Sequence, residues 1–191
     1  MQLEVEFAGF GGQGVMLAGK LLAEAAMEEG KQVVWIPSYG PEMRGGTAYC
    51  TVVIADIPIG SPVVNFPGNL VAMNRPSLEK FAPKVQPGGI CIVNSSLIPI
   101  TSGRDDLNEV LVPCNQIANE MKNPRGPNMV VLGAFCGLSK IVNMETIEAI
   151  VRHEFASKPK AIESNVALLY RGAEVACDPA SRVKKHAEAV A

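Results

Sequence analysis

Paired cysteines, clustered histidines and long apolar runs are all missing from this sequence of 191 residues. The 5 cysteines lie far apart and form no Cys-x-x-Cys pair, which excludes the usual motifs of zinc ribbons and ferredoxin-type clusters. The 2 histidines stand apart from other candidate ligands, so we predict no metal site in this chain. Because the cysteine count is odd and no signal peptide is evident, we expect reduced thiols that are mostly buried.

Charge and hydropathy narrow the class of protein further. The formal net charge is −2, which argues against a general attraction to nucleic acid or to an anionic membrane. The longest strongly apolar run, residues 129–138, is too short to span a bilayer. A strand pattern begins at residue 3 and leaves no room for a signal peptide, so we expect a cytoplasmic protein. We predict one domain over residues 1–177 and a polar C-terminal tail over residues 178–191.

Short apolar strands alternate with helical patterns along the chain, which predicts an α/β fold. The predicted strands cover residues 3–8, 32–36, 47–55, 69–73, 90–93 and 109–113. The predicted helices cover residues 15–29, 77–85, 115–121, 129–140, 144–155 and 160–176. The stretch 47–64 has little room for a crossover helix, which indicates an antiparallel excursion. We therefore expect a three-layer α/β/α sandwich around a mixed, mostly parallel sheet.

A glycine-rich turn joins the first strand to the first helix, in the order that a Rossmann-like phosphate-binding loop requires. Glycine accepts a positive φ and lets the backbone approach an anion closely. The following helix points its unpaired N–H groups and its positive end at that anion. The candidate ligand-binding residues, for coenzyme A or another phosphate, are Gly9, Gly11, Gly12, Gln13 and Gly14.

Alternative interpretations of this turn remain open. The glycines could serve only the packing of a tight crossover. A dinucleotide site needs an acidic residue at the end of the second strand, but that strand runs into Pro37 and Ser38. A P-loop needs Ser or Thr after Lys20, and the chain has Leu21 there.

A second unusual segment follows the second strand, over residues 38–46. In a parallel sheet the carboxyl ends of the strands form the ligand crevice, so we expect residues 9–14, 38–46, 73–75 and 94–96 to gather there. Arg44 and Arg75 would supply cations to that crevice. The candidates for the mouth of an active site or for a subunit interface are Ser38, Tyr39, Glu42, Arg44, Gly45 and Gly46.

Residues 9–14 and 38–46, with Gly126-Pro-Asn-Met-Val-Val-Leu-Gly133 as a third element, resemble the γ subunit of 2-oxoacid:ferredoxin oxidoreductases. The resemblance covers residues 1 to about 176 and leaves the tail uncovered. The 2-oxoglutarate branch (2-oxoglutarate synthase) is the most similar, and the pyruvate and 2-ketoisovalerate branches stay open as alternatives.

The resemblance implies one subunit of a cytoplasmic hetero-oligomeric oxidoreductase that is inactive alone. The 2-oxoglutarate complex converts 2-oxoglutarate, coenzyme A and oxidised ferredoxin into succinyl-CoA, CO₂ and reduced ferredoxin. It uses thiamine diphosphate, Mg²⁺ and [4Fe–4S] clusters, carried by thiamine-diphosphate-binding α and β subunits and a ferredoxin-like subunit. The γ chain would support assembly and coenzyme A binding, with no cofactor, catalytic residue or redox centre of its own.

Hypotheses of other classes compete with this one. The chain could be a free-standing NAD(P)- or flavin-dependent oxidoreductase that uses the glycine turn, although the missing ribose acid argues against it. It could also be a binding or scaffold protein, since an α/β fold by itself does not define a function.

Overall fold

A computed structural model describes residues 1–38 and 47–183 of the chain. The strands are β1 (Gln2–Phe10), β2 (Gln32–Ser38), β3 (Thr47–Ala55), β4 (Asn69–Ala72), β5 (Ile90–Asn94) and β6 (Asn108–Val112). The helices are α1 (Val15–Glu28), α2 (Arg75–Phe81), α3 (Cys114–Glu120), α4 (Pro127–Ser139), α5 (Met144–Glu154) and α6 (Pro159–Cys177). Short 3₁₀ turns lie at Ala82–Lys84 and Pro179–Ser181.

The described strands form one mixed sheet in the order β2-β3-β1-β4-β5-β6. The pairs β1–β4, β4–β5 and β5–β6 are parallel, whereas β3 runs antiparallel to both of its neighbours. The predicted mixed sheet with an antiparallel excursion is therefore confirmed. Because β3 lies between β1 and β2, the crossover through α1 joins strands that are not neighbours, unlike the first crossover of a dinucleotide-binding fold.

Helices cover the two faces of this sheet unequally. The larger apolar core lies under α1, α3, α4, α5 and α6, with Phe7 and Phe135 in edge-to-face contact 5.8 Å apart. The smaller core on the other face lies under α2 and the first 3₁₀ turn, and includes Leu78 and Phe81. The predicted three-layer α/β/α arrangement is present, with one thick and one thin helical layer.

The predicted helix over residues 77–85 differs from the structure. Regular α-helix ends at Phe81, and a 3₁₀ turn follows from Ala82 to Lys84. Pro83 contributes to the change, because it has no N–H to donate to the next bond of the α-helix. Asn74 caps the start of α2 by accepting a hydrogen bond from the Ser77 N–H at 2.9 Å.

The described part of the predicted tail contacts the outer edge of the sheet. Arg182 forms an antiparallel bridge with Val110, and the Val183 N–H donates to the Glu109 carbonyl at 3.0 Å. Residues 184–191 lie outside the described residues, so the boundary at residue 177 stays a prediction.

The cysteines lie mostly in the core, as the sequence predicts. Cys50, Cys91, Cys114 and Cys136 are buried free thiols, and Cys177 is exposed. Burial raises the pKa of Cys50 and Cys91 to about 12, so both thiols are protonated at neutral pH. These cysteines therefore act as apolar core residues.

Candidate functional site

The glycine turn lies at the point where the order of the sheet reverses. From β1 the chain passes through α1 on the thick face to β2, whereas from β4 it passes through α2 on the thin face to β5. The carboxyl ends of β1 and β4 are adjacent, so a crevice opens between them. Crevices at such topological switch points are where open α/β sheets bind ligands.

Two glycines of the turn serve the close packing of the chain. A Cβ on Gly9 would lie 2.7 Å from the Gln13 Oε1, and one on Gly14 would lie 2.5 Å from the Asn128 Nδ2. Gly14 also has a φ of 75° and stands as the N-cap of α1. Packing therefore explains Gly9 and Gly14 without any ligand.

Gly12 has a different environment. Its φ is 95°, and a Cβ built on it would meet no atom of the described residues within 4 Å. It lines both cavities beside the turn, so its backbone is open to a ligand. Of these glycines, Gly12 fits the predicted anion-binding role best, because its bare backbone faces open space.

Gln13 fastens the turn to the neighbouring strand connection. Its Oε1 accepts a hydrogen bond from the Phe10 N–H at 2.6 Å and another from the Asn74 Nδ2 at 3.2 Å. Its Nε2 donates to the Met73 carbonyl at 3.1 Å. The side chain of Gln13 is thus engaged within the protein, where it fixes the turn against the start of α2.

A cavity of about 380 Å³ occupies the switch-point crevice. It is lined by Gly12, Gln13, Met73, Asn115, Pro124, Arg125 and Pro127. Asn94, buried at the end of β5, donates from its Nδ2 to the Asn115 Oδ1 at 2.8 Å and so orients the Asn115 side chain. The predicted gathering of residues 9–14, 73–75 and 94–96 is present in this region, except for the side chain of Arg75.

A second cavity, of about 520 Å³, continues from the first on the thick face of the sheet. Gly12, Gln13 and Arg125 line both cavities. The other lining residues are Gly14, Leu17, Lys122, Asn123, Asn128, Phe155, Lys158, Lys160, Ala161, Ser164 and Asn165. The lining includes Lys122, Arg125, Lys158 and Lys160 but no Asp or Glu among the described residues.

The first turns of α1, α4 and α6 all reach this second cavity, through Leu17, Asn128 and Lys160 respectively. No described side chain caps any of these helices, and none of the three has an acidic residue in its first turn. The first N–H groups of a helix have no partner within it, and the helix dipole adds partial positive charge there. The helix N-termini and the four cations therefore give the described lining of the second cavity a net positive charge.

The cations of the second cavity have no acidic partner among the residues that the structure describes. Within residues 1–38 and 47–183, no ion pair involves Lys122, Arg125, Lys158 or Lys160. Asn123 fixes the adjoining segment to α6, donating from its Nδ2 to the Asn165 Oδ1 at 2.9 Å. Lys122 has a φ of 57°, an uncommon conformation for a side chain of its size.

The sequence did not identify these cations as a group. Lys122 and Arg125 lie between the predicted helices 115–121 and 129–140. Lys158 lies before the predicted helix 160–176, and Lys160 is its first residue, so no local pattern groups the four cations. The expected role of Arg75 in the crevice is wrong. Arg75 pairs with Glu79 on the surface, with Nε and Oε1 2.8 Å apart, and lines neither cavity.

The other predicted segment is described only at its start. Ser38 ends β2 opposite Tyr49 of β3, is half-buried, and lines neither cavity. The remaining candidates lie outside the described residues: Tyr39, Glu42, Arg44, Gly45 and Gly46. Their role at an active-site mouth or interface stays a prediction.

The described residues offer neither a membrane span nor a metal cluster. No helix there is long and apolar enough to cross a membrane. In the same residues, no group of three or more His, Cys, Asp or Glu side chains could hold a metal ion.

Comparison with known proteins gives a consistent family. Residues 4–175 match the family model for pyruvate ferredoxin/flavodoxin oxidoreductase. The chain is 37% identical over 180 residues to the 2-oxoglutarate synthase subunit KorC of Methanocaldococcus jannaschii, covering 92% of this chain and 95% of that protein. It is 41% identical over 174 residues to the ketoisovalerate oxidoreductase subunit VorA of Methanothermobacter thermautotrophicus, covering 91% of this chain. The chain spans only 36% of the length of that VorA relative.

A solved structure has the same fold. The γ subunit of a keto/oxoacid ferredoxin oxidoreductase from Geobacter sulfurreducens superimposes with a TM-score of 0.83 at 30% sequence identity. The match covers 96% of this chain and 99% of the other. The sheet order and helix layers described above are thus those of a γ subunit.

Proposed function

The chain belongs to the pyruvate ferredoxin/flavodoxin oxidoreductase family, and we propose that it is the γ subunit of a 2-oxoacid:ferredoxin oxidoreductase. The resemblance noted in the sequence is confirmed. Thiamine diphosphate, Mg²⁺ and the [4Fe–4S] clusters would reside in partner subunits. The γ chain would contribute to assembly and hold coenzyme A, without carrying a redox centre.

The positive second cavity beside Gly12 is the observation that carries the proposed coenzyme A role. Coenzyme A is a polyanion at its nucleotide end, whereas its reactive thiol is uncharged until activated. Within the described part of the chain, the helix N-termini at this cavity are uncapped, its cations are unpaired and its lining has no acidic residue, which suits that nucleotide end. With its nucleotide bound there, coenzyme A would be anchored to this chain. Its thiol arm would stay free to reach the active site in another subunit.

We propose 2-oxoglutarate as the substrate because the KorC relative aligns over nearly its whole length. The alternative substrate is 2-ketoisovalerate. It is favoured by the higher identity to VorA, although that match covers only part of the longer VorA chain. An assay of the reconstituted complex with 2-oxoglutarate, 2-ketoisovalerate and pyruvate separates these branches. The highest kcat/KM should be obtained with 2-oxoglutarate, and a higher value with either other acid would reassign the branch.

The partner-facing surface that we propose includes the loop over residues 57–68, which joins β3 to β4. It contains no charged residue, and Ile57, Val63 and Phe66 are exposed on it. Cores of protein interfaces are depleted in charge and enriched in aromatic residues. The loop lies at the end of the sheet where Ala55 pairs with Gln2, away from the glycine turn.

A matched pair of variants tests the coenzyme A role. Gly12→Asp and Gly12→Asn introduce side chains of similar size and share the same backbone strain, but only Asp adds negative charge where the anion should lie. In the assembled enzyme, Gly12→Asp should raise the KM for coenzyme A well above that of Gly12→Asn, with little change in the KM for the oxoacid. Equal values for the two variants would count against this site.

A further inference from the structure

We propose that Lys158 and Lys160 bind the 3′-phosphate of coenzyme A, at a position separate from the one that holds its diphosphate. This inference rests on the proposed coenzyme A role and adds a specificity to it. Lys158 is the N-cap of α6 and Lys160 lies in its first turn, whereas Gly12 precedes α1; all three residues line the second cavity.

The second cavity offers anion-binding groups in two sets. One set consists of the Gly12 backbone and the open N-terminus of α1, with Arg125 shared between the two cavities. The other set is the N-terminus of α6 with its two lysines. A ligand with a single phosphate cluster would leave one set unpaired, whereas coenzyme A carries a diphosphate and a separate ribose phosphate.

The lysines of α6 are placed against the usual electrostatic preference of a helix. Cations are favourable near the C-terminus, as with Arg152 in the last turn of α5, and unfavourable near the N-terminus. Lys158 and Lys160 flank Pro159 at the positive end of α6, and no described acidic side chain pairs with them. A phosphate monoester carries more charge than a diester and would relieve this repulsion most effectively.

Apolar side chains lie in the same cavity. Leu17 on α1 and Phe155 at the end of α5 are half-buried and line it, together with Ala161 on α6. An aromatic ring and aliphatic groups offer a flat apolar contact for a purine. The lining can therefore contact both an apolar ring and phosphate groups, and an adenosine bisphosphate contains both.

Dephospho-CoA provides the sharpest test, because it differs from coenzyme A only in lacking the 3′-phosphate. The variants are Lys158→Gln and Lys160→Gln, singly and together, in the reconstituted complex. The control is Arg171→Gln, which removes a positive charge from an exposed position further along the same helix. Steady-state KM values for coenzyme A, dephospho-CoA and the oxoacid are measured for each protein.

The wild-type complex should prefer coenzyme A over dephospho-CoA. Each lysine variant should raise the KM for coenzyme A by about tenfold, the factor expected for one lost charge-assisted hydrogen bond, and leave that for dephospho-CoA unchanged. The preference for coenzyme A should disappear in the double variant and persist in Arg171→Gln. A preference that survives in the double variant would overturn the inference.

The failure of this inference can be distinguished from failure of the proposed function. If Gly12→Asp raises the KM for coenzyme A selectively while the double lysine variant keeps the wild-type preference, coenzyme A binds here but its 3′-phosphate lies elsewhere. If neither change affects coenzyme A and the complex still assembles, the coenzyme A role of the cavity is wrong, and the lysine inference fails with it.

Discussion

Gly133 on α4 packs directly against the backbone of Leu169 on α6, so closely that any Cβ at Gly133 would overlap the Leu169 carbonyl group. The relationship is reciprocal, because a Cβ on Gly172 of α6 would overlap the Val130 carbonyl of α4. Both helices begin at the second cavity, where Asn128 and Lys160 line it. This backbone-to-backbone packing therefore fixes the spacing of two helices whose first turns line the candidate site.

Gly133→Ala should destabilise the fold by about 3 kcal/mol or more, since neither helix backbone can move aside without disturbing the core. Gly60→Ala is the matched control, because a Cβ at that exposed glycine would meet nothing within 4 Å. Urea unfolding of the isolated chain measures both changes. Similar midpoints for Gly133→Ala and the wild type would show that the two helices can separate freely.

Much of the fold could be predicted from local patterns. The alternating pattern of β1 and the apolar run of β5 predict the ends of both strands to within a residue or two. The antiparallel direction of β3 is predicted because the segment after it has no room for a crossover helix. The place of β3 between β1 and β2 could not be predicted, because it depends on pairing between distant strands. Nothing in the order of the patterns distinguishes that arrangement from one with β1 and β2 adjacent.

The candidate site was only half predictable. The glycine turn has a local signature, and its position at the crevice follows from the order of strand, turn and helix. Lys122 and Lys158 are far apart in sequence, and only the packing of α4 against α6 brings them to one cavity. One local signal was available: Pro127 and Pro159 each begin a helix, and a cation, Arg125 or Lys158, lies within two residues before each of them.

The hydrogen bonds of Gln13 predict that this side chain is structural. Gln13→Ala would leave the Phe10 N–H and the Met73 carbonyl without their present partner, at a cost of about 1–3 kcal/mol. Gln2→Ala, at an exposed glutamine on the same strand–turn unit, is the control and should change stability by less than about 0.5 kcal/mol. Thermal or urea unfolding of the isolated chain gives the comparison, and equal losses in the two variants would contradict the structural role.

A substitution in the uncharged loop over residues 57–68 should affect subunit assembly without affecting the stability of the fold. Phe66 is 66% exposed, so Phe66→Ser should change the free energy of unfolding by no more than about 0.5 kcal/mol. If the loop docks on a partner subunit, the same change should weaken co-purification of that subunit by about tenfold or more, as for an aromatic hot spot. Met27→Ser, at a similarly exposed residue on α1, is the control. Equal recovery of partners with both variants would place the interface elsewhere.

Glu6 provides the last prediction, because it is a buried carboxyl without adequate compensation. It is 6% exposed on the thin face of the sheet, and its Oε1 has no hydrogen-bond partner among the described residues. Burial raises its pKa to about 7, although Lys84 and Lys80 oppose the shift. The folded chain therefore holds a proton that the unfolded chain releases at lower pH.

The sign of the pH effect follows from that difference in bound protons. Between about pH 4.5 and pH 7 the folded state binds more protons at this site than the unfolded state, so the contribution of Glu6 to stability falls as pH rises. Glu6→Gln removes the ionisation and keeps the shape. The variant should match the wild type near pH 4 and exceed it at about pH 8, by on the order of 2–3 kcal/mol. Urea unfolding across this range measures the difference in free energy of unfolding between the two proteins. The titration of all other groups cancels from this difference to first order. A difference that stays constant with pH would show that Glu6 ionises normally in the folded chain.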